Sequence, residues 1–320
     1  MHSARPPRWK ILIAFAIIYF VWGSTFYAIR VGVHEVPPLL LAAARFSIAG
    51  ALLFGWALAR GERWPSRREW AGIAIVAFLI FVMDYGFLFW AEKRVPSGSA
   101  AVILAIIPAF MALAEIIVLR TERLTFRLSA ALLIGLGGVV VLMDPALGGG
   151  APVYSLGAAG LLVAALSWSA AAVLTRKLPL PSSKVMSAAA QMLSGGVFLW
   201  IIAAAAGEAR GFHATAISLA AWMALLYLIV AGSIVAFTAY TWLIHHESPT
   251  RVGTYAYVNP VVAVVVGHFM GGEVLNARTV LGTVLVLVSV IVITTRSKSN
   301  TAPAAPKPTG LADIQPDTQP

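Results

Sequence analysis

Arg45 and Asp84 are the charged residues whose positions could do chemistry, because both fall inside long apolar runs. A charge at the centre of a membrane helix costs about 2.5–3.5 kcal/mol on insertion scales, so such a residue faces the protein interior and has a partner. Counting along the runs puts each about 7 residues, roughly 10 Å, from the same end of its helix. The two charges then stand at matching depth. One chemistry is a buried ion pair that fixes helix register. The other is an anion-binding guanidinium beside a titratable carboxylate. A proton-carrying carboxylate needs burial, and a nearby guanidinium opposes it. The pairing therefore weakens proton coupling unless the pair breaks during a cycle.

Trp22 and Trp168 sit about twelve residues into their runs, near the middle of a span. Trp9, Trp56, Trp64, Trp70, Trp90, Trp222 and Trp242 fall near the ends, the ordinary aromatic belt, with Trp200 intermediate. The central pair reads either as helix packing or as the wall of a cavity, which Tyr85 would join. Pro108 and Pro260 lie inside apolar runs, where each removes a donor and frees a carbonyl. They read as static kinks or as hinges. Asn259 can bond a freed carbonyl, and Tyr255 and Tyr257 add hydroxyls on different faces. Ser24, Thr25 and Ser169 flank the central tryptophans, though such hydroxyls often bond only their own helix. Glu115, Glu122 and Glu273 read as charges near helix ends. Gly267 and Gly271 give the spacing of close helix packing.

The elements that must position these residues follow from composition. The chain has 320 residues, of which 60% are hydrophobic and 11% charged. Soluble chains average about 25% charged, and mean hydropathy here is +0.86. These values exclude a soluble enzyme, a disordered regulator and a fibrous chain. They predict an all-α integral membrane protein with ten transmembrane helices, at 10–31, 38–59, 70–91, 98–119, 127–144, 156–176, 185–206, 217–243, 251–271 and 278–295. The first run is too long for a signal-peptide core. With no cysteine, disulfide, iron–sulfur and thiol chemistry are excluded. The net charge of +10 sits in short clusters between apolar runs, as in cytoplasmic loops, and argues against a nucleic-acid partner.

With a cytoplasmic N-terminus, sixteen Lys and Arg fall on the cytoplasmic side, and Arg30, Lys93, Arg94, Arg210 and Arg278 opposite. Both termini are therefore expected inside. The chain also repeats. Trp22-Gly23-Ser24 ahead of Arg30 matches Trp168-Ser169-Ala170 ahead of Arg176 at an offset of 146, and Trp90 to Pro108 matches Trp242 to Pro260 at 152. Trp70 matches Trp222, Glu122 matches Glu273 with a one-residue slip, and Gln191 stands where Arg45 stands. The expected domains are two five-helix repeats, 1–147 and 148–298, joined near Gly148-Gly149-Gly150. A Pro-, Ala-, Thr- and Asp-rich cytoplasmic tail, 299–320, is expected to be disordered. Five is odd, so the repeats are inverted. That arrangement characterises secondary transporters, with the site near the midplane between the halves.

Trp22-Gly23-Ser24-Thr25-Phe26 with Arg30, Pro37-Pro38 and Arg45-Phe46, then Val95-Pro96-Ser97-Gly98 and Pro108, resemble the EamA family of the drug/metabolite transporter superfamily. Ser248-Pro249, Tyr255 to Ala263 and Gly271-Gly272-Glu273 extend the resemblance to the YedA-type branch, over about residues 10–295. The resemblance implies ten helices, cytoplasmic termini, and export of small metabolites such as amino acids across the bacterial cytoplasmic (inner) membrane. It does not imply one substrate, and Asp84 departs from the pattern.

No P-loop is present, so ATP is not the direct energy source. His245-His246-Glu247 point apart on a helix, so no metal site is expected, and no cofactor is called for. Neither HExxH nor GxSxG occurs. The expectation is an alternating-access exporter, not an enzyme. Its substrate would meet Trp22, Ser24, Thr25, Arg45, Asp84, Tyr85, Trp168, Ser169, Gln191, Tyr255 and Asn259, with Pro108 and Pro260 permitting gating. Arg45 would hold a carboxylate or pair with Asp84. The alternatives are a membrane enzyme acting on lipid-linked substrates, which needs charges clustered at one interface, and an uncoupled facilitator. The expected partners are a small-molecule substrate and membrane lipids. Coupling, and the choice between monomer and homodimer, stay open.

Overall fold

A computed structural model of the chain describes residues 6–114, 116–117, 125–143, 155–210, 212–247, 252 and 254–294. Among them the regular structure is helical, with no strand. Seven helices are long and apolar enough to cross a membrane. They are α1 (Arg8–Glu35), α2 (Pro38–Ala59), α3 (Arg67–Glu92), α4 (Ser97–Ala114), α6 (Ser155–Leu174), α7 (Lys184–Ala205) and α8 (Leu219–Leu243). Three shorter apolar helices complete the set: α5 (Phe126–Met143), α9 (Tyr255–Gly271) and α10 (Ala277–Thr294). Glu115, Glu122, Gly148-Gly149-Gly150, Ser248-Pro249 and the tail 299–320 lie outside the described residues, as does the side chain of His245.

Local sequence explains where helices start and stop. Ser66 and Glu69 form a reciprocal capping box at the start of α3, clamped by Arg63. Pro38 occupies the first turn of α2, where its missing N–H costs no bond. Gly61 (φ 80°) and Gly207 (φ 72°) turn the chain after α2 and α7 in the left-handed region, and they are 146 residues apart. Helix α1 outruns the expected 10–31 at both ends, because its backbone bonds persist beyond the apolar stretch.

The most extensive packing joins α2 to α7 and α5 to α10. Helices α2 and α7 cross antiparallel at small residues. A Cβ on Gly50 would lie 2.5 Å from Leu193 N, and one on Gly196 would lie 2.4 Å from Ser47 Oγ. Such crossings let backbones approach, which matters where lipid supplies no hydrophobic drive between helices. Outward-facing side chains are apolar and exposed, including Leu219, Val230, Phe269 and Val284. That surface suits hydrocarbon rather than water.

Helix α1 widens into a π-helical turn at Ile17–Val21, α3 at Phe78–Gly86 and α8 at Leu228–Val235. Helix α4 is interrupted at Ala105–Ile106. Pro108 thus opens a second helical segment instead of sitting mid-helix, whereas Pro260 lies within the continuous α9. The two prolines match in sequence but not in local structure.

Candidate functional site

A cavity of about 120 Å³ lies where α1, α2, α3, α6, α7, α8 and α9 converge. Its lining is paired. Trp22 and Trp168, Arg45 and Gln191, and Phe46 and Met192 are each 146 apart. Ile80 and Gly232, Phe81 and Ser233, and Tyr85 and Phe237 are each 152 apart. Ala188, Tyr240 and Tyr255 complete it. Both offsets are those read from the sequence. Six expected site residues therefore come together: Trp22, Arg45, Tyr85, Trp168, Gln191 and Tyr255. Ser24, Thr25, Asp84, Ser169 and Asn259 do not line the cavity.

Arg45 is 2% exposed. Its Nε donates to Ser233 Oγ at 3.0 Å, and its guanidinium lies over the rings of Phe46 (4.7 Å), Tyr85 (5.3 Å) and Phe89 (5.9 Å). Its Nη1 is buried without a hydrogen-bond partner. No ion pair joins it to Asp84, which is buried with Oδ1 likewise unpartnered. The pairing that the sequence left open is thus absent. Equal depth fixes height along two helices, but the π-helical turn around Asp84 changes the angle between successive side chains, and with it the face Asp84 occupies.

Aromatic rings enclose the rest. Trp22 meets Tyr255 edge-on at 5.2 Å and Tyr240 at 5.4 Å. Tyr85 contacts Phe46 at 4.7 Å and Trp168 at 6.3 Å. Gln191 donates back to Ser187 Oγ at 2.9 Å on its own helix.

The residues outside the lining hold its walls. Each π-helical turn presents a carbonyl to a donor on another helix. Ser167 Oγ donates to Leu79 O (2.8 Å) and Trp22 Nε1 to Gly232 O (3.1 Å). The Asn259 amide, turned so that its nitrogen faces carbonyls, donates to Ile18 O (3.3 Å), Tyr19 O (3.1 Å) and Tyr255 O (3.2 Å). In lipid every loosened backbone group needs such a partner. Ser24 bonds Phe20 O and the Tyr227 hydroxyl, Thr25 bonds Trp22 O, and Ser169 bonds Ala165 O and Ile107 O beside the α4 interruption.

At the end of the bundle that carries the α1–α2, α7–α8 and α9–α10 connections, three glutamates each cap a helix start elsewhere in the chain. Glu273 accepts from Ser97 N (2.6 Å), Ser97 Oγ (2.7 Å) and Gly98 N (3.0 Å), and lies 3.5 Å from Arg30 Nε. Glu208 accepts from Leu39 N and Leu40 N, and Glu35 from Ser218 N and Oγ. Carboxylates suit helix N-termini, where free N–H groups and the helix dipole favour negative charge. Burial holds the Glu208 carboxyl above its ordinary range, against the pull of those two amides. Glu273 was legible only as a charge near a helix end, and Glu35 and Glu208 carried no signal.

Sequence reasoning also missed Phe46, Ile80, Phe81, Ala188, Met192, Gly232, Ser233, Phe237 and Tyr240. A signal existed for some of them. Adding 146 or 152 to the first-half residues of the lining reaches Met192, Gly232, Ser233 and Phe237. Among the described residues no three potential metal ligands cluster. His246 instead stacks on Trp242 at 4.2 Å.

Residues 9–143 and 155–295 each match the model of the EamA-like transporter family. The chain is 36% identical over 280 residues to an inner membrane transporter of Escherichia coli (strain K12), YedA, covering 87% of this chain and 88% of that one. A probable terminal-alkyne amino-acid exporter of Streptantibioticus cattleyicolor is 29% identical, covering 90% and 94%. One solved crystal structure superposes with a TM-score of 0.59 at 23% identity, covering 92% of this chain and 100% of that chain, a likeness of fold.

Proposed function

The chain belongs to the EamA-like transporter family, and from that membership we propose that it exports small metabolites across the bacterial inner membrane by alternating access. The observation that carries this reading is the paired lining of the cavity. Two halves that contribute matching residues to one central space are what a carrier needs to expose one site to either side in turn. In this reading ten helices span the membrane as two inverted five-helix repeats, 1–147 and 148–298, with both termini cytoplasmic. The two separate family matches support the duplication. The crossing of α2 and α7 supports it too, since its glycines, Gly50 and Gly196, are also 146 apart. Amino acids and related compounds are the first substrates to test, as the Streptantibioticus relative's name suggests. The chain is then a carrier without a chemical step of its own.

Trp22, Trp168, Tyr85 and Tyr255 would contact cargo directly. Ser24, Thr25, Ser169 and Asn259 would act by holding the walls, and Pro108 and Pro260 by allowing α4 and α9 to move. Asp84 serves as a candidate coupling group behind the lining.

The test is substrate counterflow in proteoliposomes with labelled amino acids, nucleosides and sugars, for wild type and Ala188→Phe. Ala188 lines the cavity, so a ring there fills its volume. The expected result is accumulation of one class, reduced about tenfold or more in the variant at unchanged melting temperature. A carrier unaffected by Ala188→Phe removes this cavity from the path, and no uptake of any compound removes the exporter reading.

A further inference from the structure

Among the six repeat-related pairs that line the cavity, one differs by a full charge: Arg45 against Gln191. No Asp or Glu lines the space. The ion pairs Arg30–Glu273 and Arg63–Glu69 both lie away from Arg45. A guanidinium does not shed its proton inside a protein, so the charge persists. Stacking over Phe46, Tyr85 and Phe89 offsets part of its burial. The N–H donors, however, lie in the guanidinium plane, where ring faces do not satisfy them. Ser233 takes Nε, and Nη1 is left with nothing. What the site lacks is an anion, and one that arrives with cargo meets the lack.

Resting on the exporter reading, we infer that the cargo is a small organic carboxylate. Its carboxylate takes the unpartnered Nη1 of Arg45, and its apolar body lies among Trp22, Trp168, Tyr240 and Tyr255. Guanidinium and carboxylate match in shape as well as charge. An engineered cavity of about 150 Å³ admits benzene, so the roughly 120 Å³ here suits one ring or a short branched chain. The same inventory shows what goes unread. The lining offers no carboxylate to an ammonium, and an ammonium among the rings would feel Arg45 uncompensated. An α-amino group therefore adds nothing to recognition, and a deaminated acid binds as well as the amino acid.

The experiment uses purified full-length protein and four compounds of one shape: 4-methylpentanoate, leucine, leucinamide and 3-methylbutylamine. Binding is read as ligand-induced rise in melting temperature, with counterflow in parallel. Both carboxylates should protect with similar affinity, the amide and the amine about tenfold more weakly or not at all. Arg45→Gln, which repeats the residue of the other half, should abolish the preference, and Arg45→Lys should restore part of it. Protection by the amide or amine equal to that by the acids overturns the inference on wild type alone, whether or not a variant folds. Persistence of the preference in folded Arg45→Gln overturns it as well. Transport of neutral or cationic compounds in place of acids keeps the exporter reading and removes the carboxylate. Carboxylate protection without counterflow keeps the site and removes the exporter. Neither protection nor counterflow removes both.

Discussion

Asn259 shows how much a single buried amide can carry. Its nitrogen faces three carbonyl oxygens, two of them on the π-helical turn of α1. Asn259→Ala removes the side-chain donor from those oxygens, of which Tyr19 O keeps the Trp22 N–H, at a cost of about 0.5–1.5 kcal/mol. Asn259→Asp should be worse despite its closer shape, because it sets an oxygen against three oxygens. Thermal unfolding in detergent checks the order wild type, Ala, Asp. An Asp variant more stable than Ala would show that the amide points the other way. At this scale the sequence was informative about identity and poor about orientation. Arg45 stood out because a charge in an apolar run is costly wherever it faces. Its partner Ser233 did not, and Asp84, at matching depth, lies on a π-helical turn whose geometry apolar periodicity cannot register. Ser24, Thr25 and Ser169 were expected beside the cargo; in the structure each bonds a backbone carbonyl and stands outside the lining.

Between helices, the glutamate caps matter most. Glu35 sits early in the chain and caps α8, whereas Glu208 and Glu273 sit late and cap α2 and α4. All three bonds cross from one matched segment of the chain to the other, at one end of the bundle. Opening that end means breaking them. Glu273→Gln keeps the shape but loses the charge and the attraction of Arg30, and should favour opening by about 1 kcal/mol, roughly fivefold. The chain has no native cysteine, so a Ser99→Cys thiol, placed beside Glu273 in a second cavity, reports access cleanly. Its labelling should be several-fold faster with Glu273→Gln, and equal rates would remove the cap from the gate. The helices themselves were legible from apolar runs of about 20 residues. The π-helical turns and the interruption of α4 were not, because they replace one apolar turn with another and leave no mark in composition.

Over the whole molecule, the repeat is what made part of the cavity legible in the sequence. Offsets found from a few tryptophans and prolines carry the expected Tyr85 over to Phe237, and carry Phe46, Ile80 and Phe81, once seen in the lining, over to Met192, Gly232 and Ser233. Residues without a lining partner at either offset, such as Tyr240 and Ala188, could come only from packing. The repeat also makes its one exception conspicuous, and that exception has an electrical consequence. An empty carrier keeps the charge of Arg45, whereas a carrier loaded with a monoanion is neutral at the site. Turning the empty site from one side to the other therefore moves about one positive charge through the transmembrane field, worth about 2.3 kcal/mol per 100 mV. With the interior negative, voltage draws the empty site inward, where cargo waits, and leaves the loaded step untouched. A potassium diffusion potential, negative inside, across proteoliposomes should speed net carboxylate efflux severalfold and leave one-for-one carboxylate exchange, which uses only the neutral loaded step, little changed; in Arg45→Gln the exchange itself should feel the voltage. A cell holding its ordinary resting voltage would then add to the drive for this export.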